Sequence, residues 1–394
     1  MRNAPKLWTP QFLAIVVMAF LFFLCLQLLT AGFPAYITSV KNDPTQAGLM
    51  TTVFMAAAIL TRPLIGYMMQ KINMKVISTA ALILLVVSVG LSYEQDSIAV
   101  LLSLRAIHGI GFGIVSTIFA TMATTIIPVK RLGEGIGYYG MATSIGTSVA
   151  PMFALALLQF YSYNVMIIFS VILTIAALLL CFFVKAPEMI VSENETADIT
   201  LKEYVFDKKA LLPCILTVFF TITLGGVISF LSGLGNEAGL KSVSLFFLVM
   251  TIMMTVIRPF SGKWFDKYGH KVVIYPAAIS GMIALFLLSI THHTITLLVA
   301  GVFYGISYGI VTPTLQAIAV SFVERHKQGT ANAMFFSSMD LGMAIGSTGL
   351  GMLVSVTSYH FIYGFSILSI VILLFLYSIG FAKAEKEYEV VENQ

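Results

Sequence analysis

The sequence predicts an all-α membrane protein: twelve transmembrane helices forming two six-helix bundles related by a pseudo-two-fold repeat. Three observations predict it. The composition is too apolar for water, the apolar runs have spanning length, and one motif returns after 196 residues.

Of 394 residues, 58% are hydrophobic and 10% charged, and the mean hydropathy is +0.95. A soluble domain carries about a quarter charged residues, so no water-facing surface can be built from this chain and its solvent is largely lipid. A spanning helix needs about 20 apolar residues. The apolar runs and the breaks between them place helices 1 to 12 at 11–38, 45–70, 74–93, 97–127, 132–160, 163–184, 209–234, 241–264, 271–291, 295–322, 328–355 and 360–381. The first is too long for a signal peptide and no small-residue cleavage site follows it, so it reads as a permanent span.

Basic residues set the orientation. Of the 22 Lys and Arg, Lys41 and Lys241 fall on one side and Arg105 within a span, leaving nineteen on the side of the two termini. That asymmetry predicts a multi-pass protein of the cell membrane with both termini in the cytoplasm. The formal net charge of +4 therefore reports topology and not a nucleic-acid partner. Cys25, Cys181 and Cys214 lie in or beside spans, with no metal-ligand spacing and no disulfide partner, and read as packing residues.

One long polar run, 185–209, divides the chain. The reading is an N-terminal bundle at 1–184, a cytoplasmic linker at 185–208, a C-terminal bundle at 209–382 and a cytoplasmic tail at 383–394. "RPLIGYMMQKINMK" (62–75) then recurs as "RPFSGKWFDKYGHK" (258–271). The same offset carries Gly109 and Gly113 onto Gly305 and Gly309, and Gly146 onto Gly342. One offset held over about 85 residues marks a duplication. Halves related by an axis along the membrane normal recur among transporters, with the substrate site near the midplane between them. Both copies of the motif read as short cytoplasmic turns. Arg-Pro is expected to end each descending helix, Gly262 to allow close packing, and Asp266 to face a helix N-terminus, where a carboxylate is stabilised. Such a turn can latch one side of the protein. The gating residues are therefore Asp266, Arg258, Gly262, Lys267 and Lys271, with Arg62, Gly66 and Lys71 in the first copy.

"GKWFDKYGHK" (262–271) matches, at every key position, the signature loop Gly-x-x-x-Asp-Arg/Lys-x-Gly-x-Arg/Lys of the major facilitator superfamily. "RAIHGIGFG" (105–113) resembles that superfamily's helix-4 motif, Arg-x-x-x-Gly, and "GTSVAP" (146–151) is similar to the helix-5 Gly-x-x-x-Gly-Pro motif of its drug:proton antiporters, with Ala150 at the second glycine. The chain thus resembles the twelve-helix efflux subfamily over its whole length. It departs in the first loop, where Gln70 stands at the acidic position and Asn73 at the following glycine. The latch is accordingly expected to rely on Asp266 more than on Gln70.

Two enzyme fingerprints occur out of context. "GIGYYG" (135–140) has the dinucleotide-binding spacing but no preceding strand. "GISYG" (305–309) has the nucleophile-elbow spacing but lies within helix 10, where its repeat partner "GIGFG" has no serine. Close helix packing by small residues explains both. No catalytic constellation, cofactor or metal site is left, and the chain does not read as an enzyme. His292 and His293 fall in an outer loop.

An ionisable side chain inside the bilayer is costly and is by default a functional candidate. There are three: Arg105 and His108, three apart on one face of helix 4 that continues through Phe112 and Ser116, and Asp340 on helix 11. Asp340 lies about 13 residues into its helix, roughly 20 Å, hence near the midplane. A carboxyl that is costly to ionise there suits a group that loads and releases a proton in each cycle. All three are proton-coupling candidates. Gln27, Phe23, Ser116, Tyr139, Phe230, Tyr304, Tyr308 and Gln316 are cavity candidates, although packing explains the aromatics equally well. The resemblance implies alternating access driven by the proton gradient without a cofactor. The expected partners are protons, the lipid bilayer and a small-molecule substrate, and the expected unit is a monomer. Export of an amphipathic drug or metabolite by antiport is the first reading. Export of a zwitterionic or anionic metabolite, such as an opine-type metallophore, is the second, and import of a small metabolite the third.

Overall fold

The computed structural model describes residues 6–41, 44–185, 205–240 and 243–392, with backbone alone for 38–41, 44–45, 47–48 and 382–392. Within those residues the chain forms twelve long helices and no strand: α1 (Pro10–Lys41), α2 (Pro44–Lys71), α3 (Met74–Gly90), α4 (Ile98–Ile126), α5 (Leu132–Phe160), α6 (Tyr163–Phe183), α7 (Lys208–Glu237), α8 (Ser244–Tyr268), α9 (His270–Ser289), α10 (Thr294–Ser321), α11 (Gln328–Val354) and α12 (Tyr359–Glu392). Helices are what a lipid solvent demands, because each satisfies its backbone groups internally. Ten of these segments are both long and apolar enough to cross a membrane. The other two differ from the sequence expectation for separate reasons. α3 has only 17 residues, and α11 is diluted by glycines, serines and Asp340. Most of the linker reading, 186–204, lies outside the described residues, whereas α12 continues as helix through the tail to Glu392.

Two compact units result. The first comprises Met1–Asp207 with Val323–Phe336, and the second Lys208–Phe322 with Ser337–Gln394. In the first, α1 packs on α5 and α6, α2 on α4, and α3 on α4 and α6. In the second, α7 packs on α12, α8 on α10, and α9 on α10 and α12. With 196 added to each residue number, the α2–α4 pair becomes α8–α10. A Cβ on Gly113 would meet the Ala58 carbonyl oxygen at 2.9 Å, and one on Gly309 would meet that of Met254, Ala58's repeat partner, at 2.9 Å. The 3₁₀ turns Val129–Arg131 and Arg325–Lys327 are related by the same offset.

Two local expectations change. Pro63 and Pro259 lie inside α2 and α8 and do not end them. A proline forfeits its own N–H bond but leaves the turns on either side intact, and membrane helices tolerate that loss. The two signature loops also differ in backbone. Gly269 sits at φ 79° and ψ 172° between α8 and α9, a conformation reserved for glycine. Its counterpart Asn73 sits at φ −57°, and its side chain accepts from the Lys75 N–H at 2.8 Å to cap α3. The first loop has exchanged a glycine turn for an N-cap, which accounts for its divergence.

Gly269→Ala should therefore destabilise the protein by about 1–3 kcal/mol. No atom lies within 4 Å of the added Cβ, so the cost is conformational. Asn73→Gly should cost only a few tenths of a kcal/mol and Asn73→Ala about 1. Unfolding of the purified chain in detergent gives the order, and equal losses at the two sites would contradict this backbone assignment.

Candidate functional site

The intramembrane cation belongs to the first unit. Arg105 and His108 lie one turn apart on α4 and are wholly buried. The guanidinium lies over two rings, 4.3 Å from the Phe54 centroid and 5.3 Å from that of Phe33. Its Nε donates to the Met50 carbonyl and one terminal nitrogen to the Thr30 hydroxyl, each at 3.3 Å. The other terminal nitrogen has no hydrogen-bond partner. Neither ring nitrogen of His108 makes a hydrogen bond of good geometry, although the Ser88 backbone lies alongside. Among the described residues no carboxylate pairs with Arg105.

Rings link this cation to the signature loop's arginine. Phe54 meets Phe112 at 5.3 Å, and the Arg62 guanidinium lies 5.4 Å from Phe112 and 5.0 Å from Phe336. Phe23 abuts the same Phe112 ring at 5.8 Å. Arg62 and Arg258, expected in cytoplasmic turns, are thus buried within their bundles. The offset recurs here as well. Arg258 lies 5.8 Å from the ring of Tyr308, the counterpart of Phe112. Asp340, in the same unit, is half-buried at the middle of α11.

The remaining candidates separate by environment. Tyr304 is fully buried, with its hydroxyl 2.8 Å from Thr223, and is a core residue of the second unit. Phe230 packs against that core. Ser116 donates back to the Phe112 carbonyl at 2.6 Å. Gln316 is buried, as is Tyr139, whose hydroxyl has no hydrogen-bond partner. Gln27 is half-buried on α1, one turn from Thr30. In the loop regions Gly66 and Gly262 are buried, Asp266 is half-buried, and Lys71, Lys267 and Lys271 are exposed. His292 stacks on His360 at 4.9 Å, and His360 in turn pairs with Glu237 at 2.7 Å.

Residues 15–347 match the Major Facilitator Superfamily. The chain belongs to that superfamily. It is 20% identical over 388 residues to the staphylopine export protein of Staphylococcus aureus, covering 93% of this chain and 95% of that protein. It is 25% identical over 281 residues to an MFS-type transporter of Methanocaldococcus jannaschii, covering 69% of this chain and 72% of the other. The structure of the human organic anion transporter MFSD10 superposes with a TM-score of 0.78 over 94% of this chain and all of that one, at 15% identity. The fold is accordingly the two-bundle fold of the superfamily, and the chain is a multi-pass membrane transporter.

Within this transporter, one cluster escaped the sequence reading. Residues 323–336 belong with the first unit. There Arg325 donates to the Thr125 carbonyl at 2.9 Å, and Gln70 donates to the Thr330 hydroxyl at 3.1 Å. Gln70, which the sequence marks as a lost acid, thus still holds the start of α11. Asn332, fully buried, donates to Thr124 at 3.2 Å, to Thr121 at 3.4 Å and to the Gln328 carbonyl at 3.1 Å. The only sequence signal was the run of threonines on α4 (Thr117, Thr121, Thr124 and Thr125), which reads as ordinary helix.

Asn332→Ala should cost about 1–3 kcal/mol, because it leaves buried acceptors without their donor. A thermal melt of the purified transporter would reveal the loss, and an unchanged midpoint would remove the cluster from the stability of the first unit.

Proposed function

We propose that this transporter exports a small amphipathic organic compound across the cell membrane in exchange for protons, by alternating access. The observation that carries the reading is Asp340, a half-buried carboxyl at the middle of the membrane helix α11. In the same unit the buried Arg258 guanidinium lies 5.8 Å from the Tyr308 ring. A carboxyl placed there on α11 can exchange a proton in each cycle. The relative named for staphylopine export, aligned over nearly its full length, supports the outward direction. The distribution of Lys and Arg supports cytoplasmic termini.

In the proposed cycle, protonation of Asp340 from outside favours the inward-facing state. Substrate binding and proton release to the cytoplasm allow the return. One charge moved through 100 mV is worth about 2.3 kcal/mol and one pH unit about 1.4. A single proton therefore sustains a substrate gradient of roughly a few hundredfold.

The test uses inverted vesicles with an acid interior and a pH reporter, to which lipophilic cations, zwitterions and organic acids are added in turn. Wild type should release protons in response to its substrate, and Asp340→Asn should lose at least about tenfold of that rate. A wild-type response retained in Asp340→Asn would remove Asp340 from coupling. No response to any compound in wild type would remove antiport.

A further inference from the structure

We propose that Arg105, assisted by His108, is the anchor for a carboxylate group of the transported compound. This rests on the transporter reading and adds the substrate class to it. The argument starts from an imbalance. The guanidinium is a fixed cation with five N–H donors. It is wholly buried and, among the described residues, meets two neutral oxygens and two rings but no acid. Buried charges are ordinarily paired. One terminal nitrogen has no hydrogen-bond partner, and His108, a turn away, has the Ser88 backbone alongside it. A donor left over on a buried guanidinium, with an imidazole on the next turn of the same helix face, suits a planar oxyanion, which a guanidinium binds through two parallel hydrogen bonds.

The duplication shows that packing does not require this cation. The offset that relates the halves sets Gly301 opposite Arg105 and Tyr304 opposite His108. A Cβ on Gly301 would meet the Phe246 carbonyl oxygen at 3.1 Å, and the Tyr304 hydroxyl is satisfied by Thr223 at 2.8 Å. The second unit thus builds the same helix pair without an unpaired cation. Arg105 and His108 have no cationic or imidazole counterpart there.

Two further features point to an organic acid and not an inorganic anion. Phe33 and Phe54 give the site apolar walls. Thr30, which holds the guanidinium, lies on a stripe of α1 with Phe23 and Gln27 that is only half-buried. A ligand body can lie along that stripe while its carboxylate reaches the arginine.

The experiment measures binding to the full-length purified transporter in detergent, with no gradient, by ligand-induced thermal stabilisation. The probes are 1-naphthoate, its methyl ester and inorganic phosphate. The proteins are wild type, Arg105→Lys and Arg105→Gln, each first shown to be monodisperse. Wild type should prefer the acid to the ester by at least about tenfold, the equivalent of one hydrogen bond to a charged group. Arg105→Gln should abolish the preference. Arg105→Lys, which keeps the charge but not the planar fork, should reduce it and decides the matter if Arg105→Gln fails to fold. Equal binding of acid and ester in wild type, or a preference unchanged in Arg105→Lys and Arg105→Gln, overturns the assignment. Phosphate stabilising as well as naphthoate overturns the organic class. The two readings fail separately. A carboxylate preference lost in Arg105→Gln, with no proton release from vesicles, supports this anchor and removes antiport. Proton release evoked by lipophilic cations, with no acid preference, supports antiport and removes the anchor.

Discussion

The close approach of α4 to α2, and of α10 to α8, is the constraint on which the rest depends. In lipid the hydrophobic effect gives helices no reason to associate, so packing between backbones must. Gly109 and Gly113 bring α4 onto the backbone of α2 at Phe54 and Ala58, and Gly305 and Gly309 bring α10 onto α8 at Met250 and Met254. A side chain at any of the four would separate the pair. Because the helices meet there, Arg62 reaches the Phe112 ring and Arg258 reaches Tyr308. The same contact sets Phe54 against the Arg105 guanidinium.

On that shared frame the two units carry different chemistry. The first has a buried cation with rings and neutral oxygens around it. The second has a glycine and a satisfied tyrosine at the positions of Arg105 and His108, and carries a half-buried carboxyl, Asp340, on α11. A duplicated scaffold frees each half to diverge where the fold does not depend on the residue. Here the divergence falls on ionisable groups within membrane helices, where a charge is least tolerated without a use.

Most of the fold was legible in the sequence, and the reason is the solvent. Lipid forces runs of about 20 apolar residues with basic residues at the ends, and these show in composition alone. The duplication was legible because the positions that repeat, Arg62, Gly109 and Gly113 with their partners, are those that make the close contacts. Legibility failed where an interaction depends on two distant segments. Gln70 reads as a lost acid, yet its amide meets Thr330. The threonines of α4 read as ordinary helix, yet Thr121 and Thr124 receive Asn332. Arg62 and Arg258 read as loop charges, yet each folds onto a ring within its bundle.

By itself the sequence determined the solvent, the helix count, the repeat and three of the ionisable groups within helices, Arg105, His108 and Asp340, because each follows from local composition or from an offset along the chain. Tertiary structure decided what those charges touch. It left one Arg105 nitrogen without a partner among the described residues, satisfied Tyr304 through Thr223, and drew residues 323–336 into the first unit. Pairing depends on which helix faces carry complementary groups at the same depth. A periodic pattern of apolar residues specifies that a helix has a packed face but not which partner fills it.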